Sequence, residues 1–254
     1  MISVTILTKN SEKYLNQVLS ALSLFDEVLI FDNGSTDGTL AIAAQFANVV
    51  IHQGIFQGFG PTHNLASSLA KYDWILSIDS DEIVTPELAA EIKQTVLSTA
   101  CAYSFPRHNY FNGKFIKWCG WYPDRQVRLY NRTTTAFSEA QVHEAVETAH
   151  LTKKQLNFPL KHYSYESITD FLTKMQSYSE LFALQNQGKK SSSISKAILH
   201  GFFAFFKSYL LKRGFMGGYE GFIISTYNAN TAFYKYLKLR EVNKEMCNNN
   251  LHTS

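Results

Sequence analysis

Residues 74–84 read WILSIDSDEIV. An apolar run climbs to Ile78 and stops at three carboxylates, Asp79, Asp81 and Glu82. Clustered carboxylates repel one another and resist burial unless positive charge sits among them. In an extended segment, residues i and i+2 share a side. Asp79 and Asp81 therefore project together and form a hard oxygen site suited to Mg²⁺ or Mn²⁺. Such an ion is commonly shared with a phosphate-bearing ligand. The same run also reads as a solvated acidic turn before a helix, where acids are favoured.

Working back from this run, the chain alternates strand and helix. ISVTILT (2–8), EVLIFD (27–32) and NVVIH (48–52) are strands, and DWILSID (73–79) is a fourth. Between them, SEKYLNQVLSAL, DGTLAIAAQFA and GPTHNLASSLA carry helical spacing, with Asn10 or Ser11 placed to cap the first. Alternation with continuous apolar strands predicts an α/β fold, a mostly parallel, Rossmann-like sheet flanked by helices. Ligands of such sheets lie at the carboxyl ends of the strands. Those ends read Thr8-Lys9-Asn10, Asp32-Asn33-Gly34 and Asp79-Ser80-Asp81, so three polar clusters converge on one edge. An acid such as Asp32 at a strand end can bond a ribose hydroxyl or a base edge. Asn33-Gly34 also reads as a turn, and Asp37 as a helix cap. Three such ends with a metal among them suggest a nucleoside diphosphate. There is no GxxxxGK[ST], and no GxGxxG follows the first strand, which argues against a P-loop and a dinucleotide fingerprint.

Beyond residue 84 the pattern changes. PELAAEIKQTVLS (86–98) is a helix, AYSFPRHNYFNGKFIKW (102–118) a hairpin turning at Asn112-Gly113, and RQVRLYN (125–131) a strand. The reading divides the chain into residues 1–188, with halves 1–98 and 99–188, and a basic helical appendage, 189–254. Net charge is +3 overall, but residues 189–254 alone carry 10 basic and 3 acidic side chains. That end is also aromatic. Phe202, Phe203, Phe205, Phe206, Tyr209 and Leu210 with Lys207, Lys212 and Arg213 read as a basic amphipathic surface for an anionic membrane, or as a helix packed on the rest with its lysines in water. Three scattered cysteines argue against a disulfide framework, and the N-terminus lacks signal-peptide character, so the chain is read as cytoplasmic.

TILTKNSEKYL, EVLIFDNGSTDGT, GFGPTHNLA and WILSIDSDE resemble, in order and spacing, the nucleotide-binding half of family 2 glycosyltransferases of the GT-A fold. RHNYFNGKFIKWCGWYPDRQVRLYNR and VHEAVE continue the likeness, which is nearest to the lipopolysaccharide core β-1,4-glucosyltransferase branch. The resemblance implies that Asp32 contacts uridine, with Thr8 and Asn10 in the same pocket. Asp81 would be the main metal ligand, and Asp79 would face the ribose or the metal, with Ser80 between them. Relatives often carry Lys or Arg just before Asn64; here His63 could replace that cation only when protonated. Glu144 in QVHEAVE, a segment read as a strand-to-helix connection, would be the base of an inverting transfer, with Glu147 as the fallback. His143 and His162 are candidate extra metal ligands or structural histidines. Trp118, Trp121, Tyr122, Asp124, Arg125 and Arg128 would bind a phosphorylated sugar acceptor, the aromatics by stacking and the arginines bidentately, although several of these aromatics also read as hairpin core. The implied partners are a UDP-sugar, a lipid-linked saccharide and an anionic inner-membrane face, and not nucleic acid. A same-fold transferase for a polyprenyl phosphate or a protein, a Mg²⁺-dependent phosphohydrolase and a non-catalytic nucleotide-sugar-binding protein remain alternatives.

Overall fold

The structure is a computed structural model that describes residues 1–139 and 144–252. Strands β1 (Ile2–Thr8), β2 (Glu27–Asp32), β3 (Val49–Gln53) and β4 (Trp74–Asp79) form a parallel sheet in the order β3-β2-β1-β4. Both faces of β1 and β2 are covered, which is why their sequences are continuously apolar. Val4, Ile6, Ile30, Leu76 and Ile78 point into one core and Leu29, Phe31 and Ile75 into another. The register pairs Thr8 with Asp32 and Leu7 with Asp79, so the strand ends lie level.

Helices α1 (Glu12–Ala21), α2 (Thr39–Ala43) and α3 (Phe59–Leu69) connect these strands. α1 buries Leu15, Val18 and Leu19, one stripe at helical spacing. Ser11 occupies its N-cap position, but the Ser11 hydroxyl accepts from the Lys9 N–H at 3.3 Å. Asp37 does the capping instead. Its carboxylate accepts the Glu12 N–H of α1 at 3.2 Å and the Thr39 N–H of α2 at 3.0 Å.

After β4 come β5 (Glu82–Val84) and α4 (Pro86–Gln94), the latter capped by the Thr85 hydroxyl. Next come β6 (Cys101–Phe111), β7 (Lys114–Phe115), β8 (Arg125–Asn131), β9 (Thr152–Gln155) and β10 (Leu160–Tyr165). β8 runs antiparallel to β4, and β6 antiparallel to β8, so the sheet becomes mixed. β10 pairs antiparallel with β5 and sets His162 opposite Glu82. The hairpin turn falls at Asn112-Gly113, both with positive φ, as that dipeptide predicts. The strand-to-helix reading of QVHEAVE is corrected over its described part, 144–147, residues 141–143 lying outside the described residues: Phe137 bridges Val146 antiparallel, and the chain goes on to β9 rather than to a helix.

Residues 1–108 and 124–163 form one compact unit, and 109–123 and 164–254 a second. In the second, α5 (Ile168–Asn186) opens with a capping box of Ser167 and Asp170. α6 (Ile194–Phe206) runs into a π-helical turn at 207–211, and α7 (Gly218–His252) closes the described chain. A side chain at Gly221 would collide with the Gly214 carbonyl, which explains the last glycine of RGFMGGYEG. No helix among the described residues is long and apolar enough to cross a membrane.

Candidate active site

The strand ends of the first unit build a polar wall. Asp32 is buried, and its Oδ1 accepts from the Thr8 hydroxyl at 3.0 Å and the Ser35 hydroxyl at 2.5 Å. Its Oδ2 accepts the N–H groups of Gly34 and Ser35 at 3.0 and 2.9 Å. A carboxylate has about four acceptor positions, so Asp32 is fully engaged by its own chain. Burial alone would raise its pKa; the hydrogen bonds from Ser35, Thr8 and Gly34 outweigh burial and hold it below the ordinary value. Asn10, at positive φ, accepts the Thr36 N–H at 2.8 Å and closes the same wall. Asp32 therefore shapes this edge, with Gly34 and Ser35 hanging on it and Thr36 on Asn10.

At the end of β4 the acids are neutralised by arginines from β6 and β8. Arg128, only 7% exposed, donates to Asp79 Oδ2 at 2.7 Å and to Glu82 Oε1 at 3.0 Å. Arg107 donates to the same Glu82 oxygen at 3.2 Å and, through Nε, to Asp124 at 2.8 Å. Glu82 Oε2 accepts the Asp79 N–H at 2.9 Å. The result is a continuous ladder, Asp124–Arg107–Glu82–Arg128–Asp79. Burial would raise the pKa of Asp79, but Arg128 beside it pulls it down to about 2. Burial, with Asp79 nearby, pushes Glu82 up to about 7 against the pull of Arg128 and Arg107.

Ligand atoms of Asp79, Glu82 and His162 lie within 4.8 Å of one another. His162 Nε2 is also 3.6 Å from Asp81 Oδ1. Carboxylate oxygens suit Mg²⁺ or Mn²⁺, and an imidazole beside them favours the softer Mn²⁺ of the two. Arg128 and Arg107 occupy Glu82 Oε1, and Arg128 also occupies Asp79 Oδ2; of the ligands expected from the sequence, Asp79, Asp81 and His162 come together at this strand end. His143 lies outside the described residues. Glu82 was legible only as a third acid in the run; its arginine partners were not.

One cleft of about 360 Å³ brings the chemistry together. Its walls include Asp79 and Glu144 with Arg107, Arg125, Arg128 and Lys153. Four cations face two carboxylates, so the cleft favours an anionic ligand. The buried Nε of Arg128 has no hydrogen-bond partner among the described residues. Arg107 and Lys153 were missed by the sequence reading. Among the expected acceptor residues, Arg125 and Arg128 line this cleft, and Asp124 holds Arg107. Trp118 and Trp121 instead pack with Phe111 and Phe171 in the aromatic core of the second unit, and Tyr122 is exposed. Ser80 is half-buried beside the acids, and Glu147 is exposed outside the cleft.

The cationic role of His63 needs a protonated ring, and its position opposes protonation. The ring is buried, stacks on Phe137 at 4.5 Å and meets the Ser77 hydroxyl at 3.2 Å. Burial drives its pKa from 6.5 down to about 4. Between those values the unfolded chain binds a proton that the folded chain refuses, so stability falls as pH falls, by up to about 3 kcal/mol. Denaturation of a His63→Gln variant from pH 7 to pH 4 should show a correspondingly shallower acid slope than the parent. An identical slope would contradict this reading of His63.

Residues 3–157 match the family model described as Glycosyl transferase family 2. The chain belongs to that family. It is 31% identical to an uncharacterised glycosyltransferase of Rickettsia felis, the match covering 94% of this chain and 89% of that one. Its identity to the counterpart in Rickettsia conorii is 32%, covering 94% and 90%. Among solved structures, the mannosyltransferase PcManGT from Pyrobaculum calidifontis, in complex with GDP-Man and Mn2+, matches with a TM-score of 0.56. The identity is 12%, over 94% of this chain and 86% of that one, a likeness of fold. The protein is thus a family 2 glycosyltransferase with an α/β, GT-A-type fold.

Proposed function

We propose that this transferase is inverting and metal-dependent, and that it moves a hexose, glucose in the first instance, from a UDP-sugar to a heptose of the lipopolysaccharide inner core. It would work at the cytoplasmic face of the inner membrane. The observation that carries the reading is the cleft, where Glu144 and Asp79 face Arg107, Arg125, Arg128 and Lys153. Glu144 takes the proton from the attacking sugar hydroxyl as the sugar–phosphate bond breaks. The arginines and Lys153 hold phosphate oxygens, on the donor or on a phosphorylated acceptor, and Arg128 Nε gains its acceptor there. Asp79, Asp81 and His162 would hold the Mg²⁺ or Mn²⁺, which supplies charge stabilisation to the diphosphate leaving group. Thr8, Asn10 and the loop fixed by Asp32 form the uridine side of the pocket. The choice of UDP, glucose and a heptose acceptor follows the sequence resemblance, and the surplus of cations in the cleft agrees with a phosphorylated acceptor.

Two experiments test this. Incubation with UDP-glucose and heptose-terminated core lipopolysaccharide should raise the acceptor mass by one hexose; no product with any UDP-hexose would refute the acceptor. An Asp81→Asn variant should keep its fold, since Asp81 is half-exposed at a strand end, yet lose the Mn²⁺-dependent part of UDP binding. Unchanged metal-dependent binding would remove Asp81 from the metal site.

A further inference from the structure

In the second unit, α6 is packed inside out. It buries its small residues, Ala197 and Gly201, and the turn that follows buries Ser208. A Cβ on Gly201 would lie 3.2 Å from the Phe233 side chain and 3.3 Å from the Ala229 carbonyl of α7, so the two helices meet through a glycine. The large apolar residues face the other way. Leu199 is 66% exposed and Phe202 71%, with Phe203 and Phe206 beside them. The surface continues through Leu210, Leu211, Phe215 and Met216, all exposed. A water-soluble helix normally does the reverse, and exposed apolar surface that runs on through several turns marks an interaction face. Phe205 and Tyr209, expected on that face, are instead half-buried and stack on each other at 5.2 Å.

The charge around this face has one sign. Between residues 181 and 240 the sequence holds nine basic residues and a single acid, Glu220. Glu220 is buried and bonded to Lys114 and Asn112. Lys207, Lys212 and Arg213 rise to the surface among the exposed phenylalanines. We propose that residues 198–216 form an interfacial membrane anchor. The phenylalanines and leucines enter the headgroup–acyl boundary, while Lys207, Lys212 and Arg213 bind anionic lipid headgroups. A second copy is the poorer occupant: a two-fold contact would bring two sets of like charges together with no exposed acid in the segment to pair them. This anchor deepens the proposed lipid-linked acceptor and rests on that reading only for its purpose; its test uses no sugar.

The test is co-flotation of the full chain with phosphatidylcholine vesicles, with and without phosphatidylglycerol, and sedimentation velocity without lipid. The chain should float with the anionic vesicles and sediment alone as a monomer. Phe202→Ser with Phe203→Ser should weaken vesicle binding by more than roughly tenfold. Lys207→Gln, Lys212→Gln and Arg213→Gln together should weaken it by roughly a hundredfold. All these positions are exposed, so the circular dichroism and UDP affinity of the variants should match the parent. Failure to float with anionic vesicles would overturn the anchor while leaving UDP binding, and so the transferase reading, intact. A dimer that Phe202→Ser dissociates would overturn it as well, giving the face to a second copy.

Discussion

Turnover of a Glu144→Gln variant should fall by about a thousandfold, while its affinity for UDP should stay within about twofold of the parent's. A glutamine keeps the size of the side chain but cannot accept a proton, and a positioned base contributes about 10²–10⁴ in rate. Glu144 shares the cleft with Asp79 and four cations, and in the proposed mode those cations would present an acceptor hydroxyl to it. The affinity arm separates the chemical step from donor binding, because UDP contacts are assigned to other residues. Glu147→Gln is the control: Glu147 is exposed outside the cleft, and its loss should leave turnover within about twofold. Equal losses in both variants would move the base, and full activity in Glu144→Gln would remove it.

Arg128→Met should cost about 3–5 kcal/mol of stability, the usual penalty for removing one partner of a buried ion pair. Arg128 lies between Asp79 and Glu82 at 2.7 and 3.0 Å. Without it Glu82, fully buried, keeps among the described residues only Arg107 as a salt-bridge partner. The thermal midpoint should drop by about 10 °C for a chain of this size. Adding Glu82→Gln should recover part of the loss, since it removes the charge that Arg128 neutralised, and the double-mutant cycle measures that coupling. A midpoint within about 2 °C of the parent would mean that the ladder does not hold the acidic strand end.

The parallel half of the fold was legible because β1, β2 and β4 are buried on both faces and therefore read as apolar runs that end in polar clusters. The Asn112-Gly113 turn was legible for a stereochemical reason, since both residues must adopt positive φ. What joined the acids to their partners was not legible. β5 and β10 pair across a long stretch of chain, and nothing local in either strand names the other. The same holds for Arg107 and Arg128, which reach Glu82 only because β6 and β8 return antiparallel to the sheet. Helical spacing in α6 was visible, but not which face it buries: that is decided by Gly201 meeting α7, a close approach that periodicity does not report. The segment around Glu144 was misread as leading into a helix because its short alternation suits either element until the Phe137–Val146 bridge is known.

The measurement that bears most directly on the central claim is calorimetric titration of the purified protein with UDP, with and without Mn²⁺. Saturable UDP binding that strengthens with Mn²⁺ is the predicted result, and it would tie the carboxylates of WILSIDSDEIV to a nucleotide-bound ion. No UDP binding under either condition would contradict the account, because the polar strand ends and the cationic cleft would then serve some other ligand.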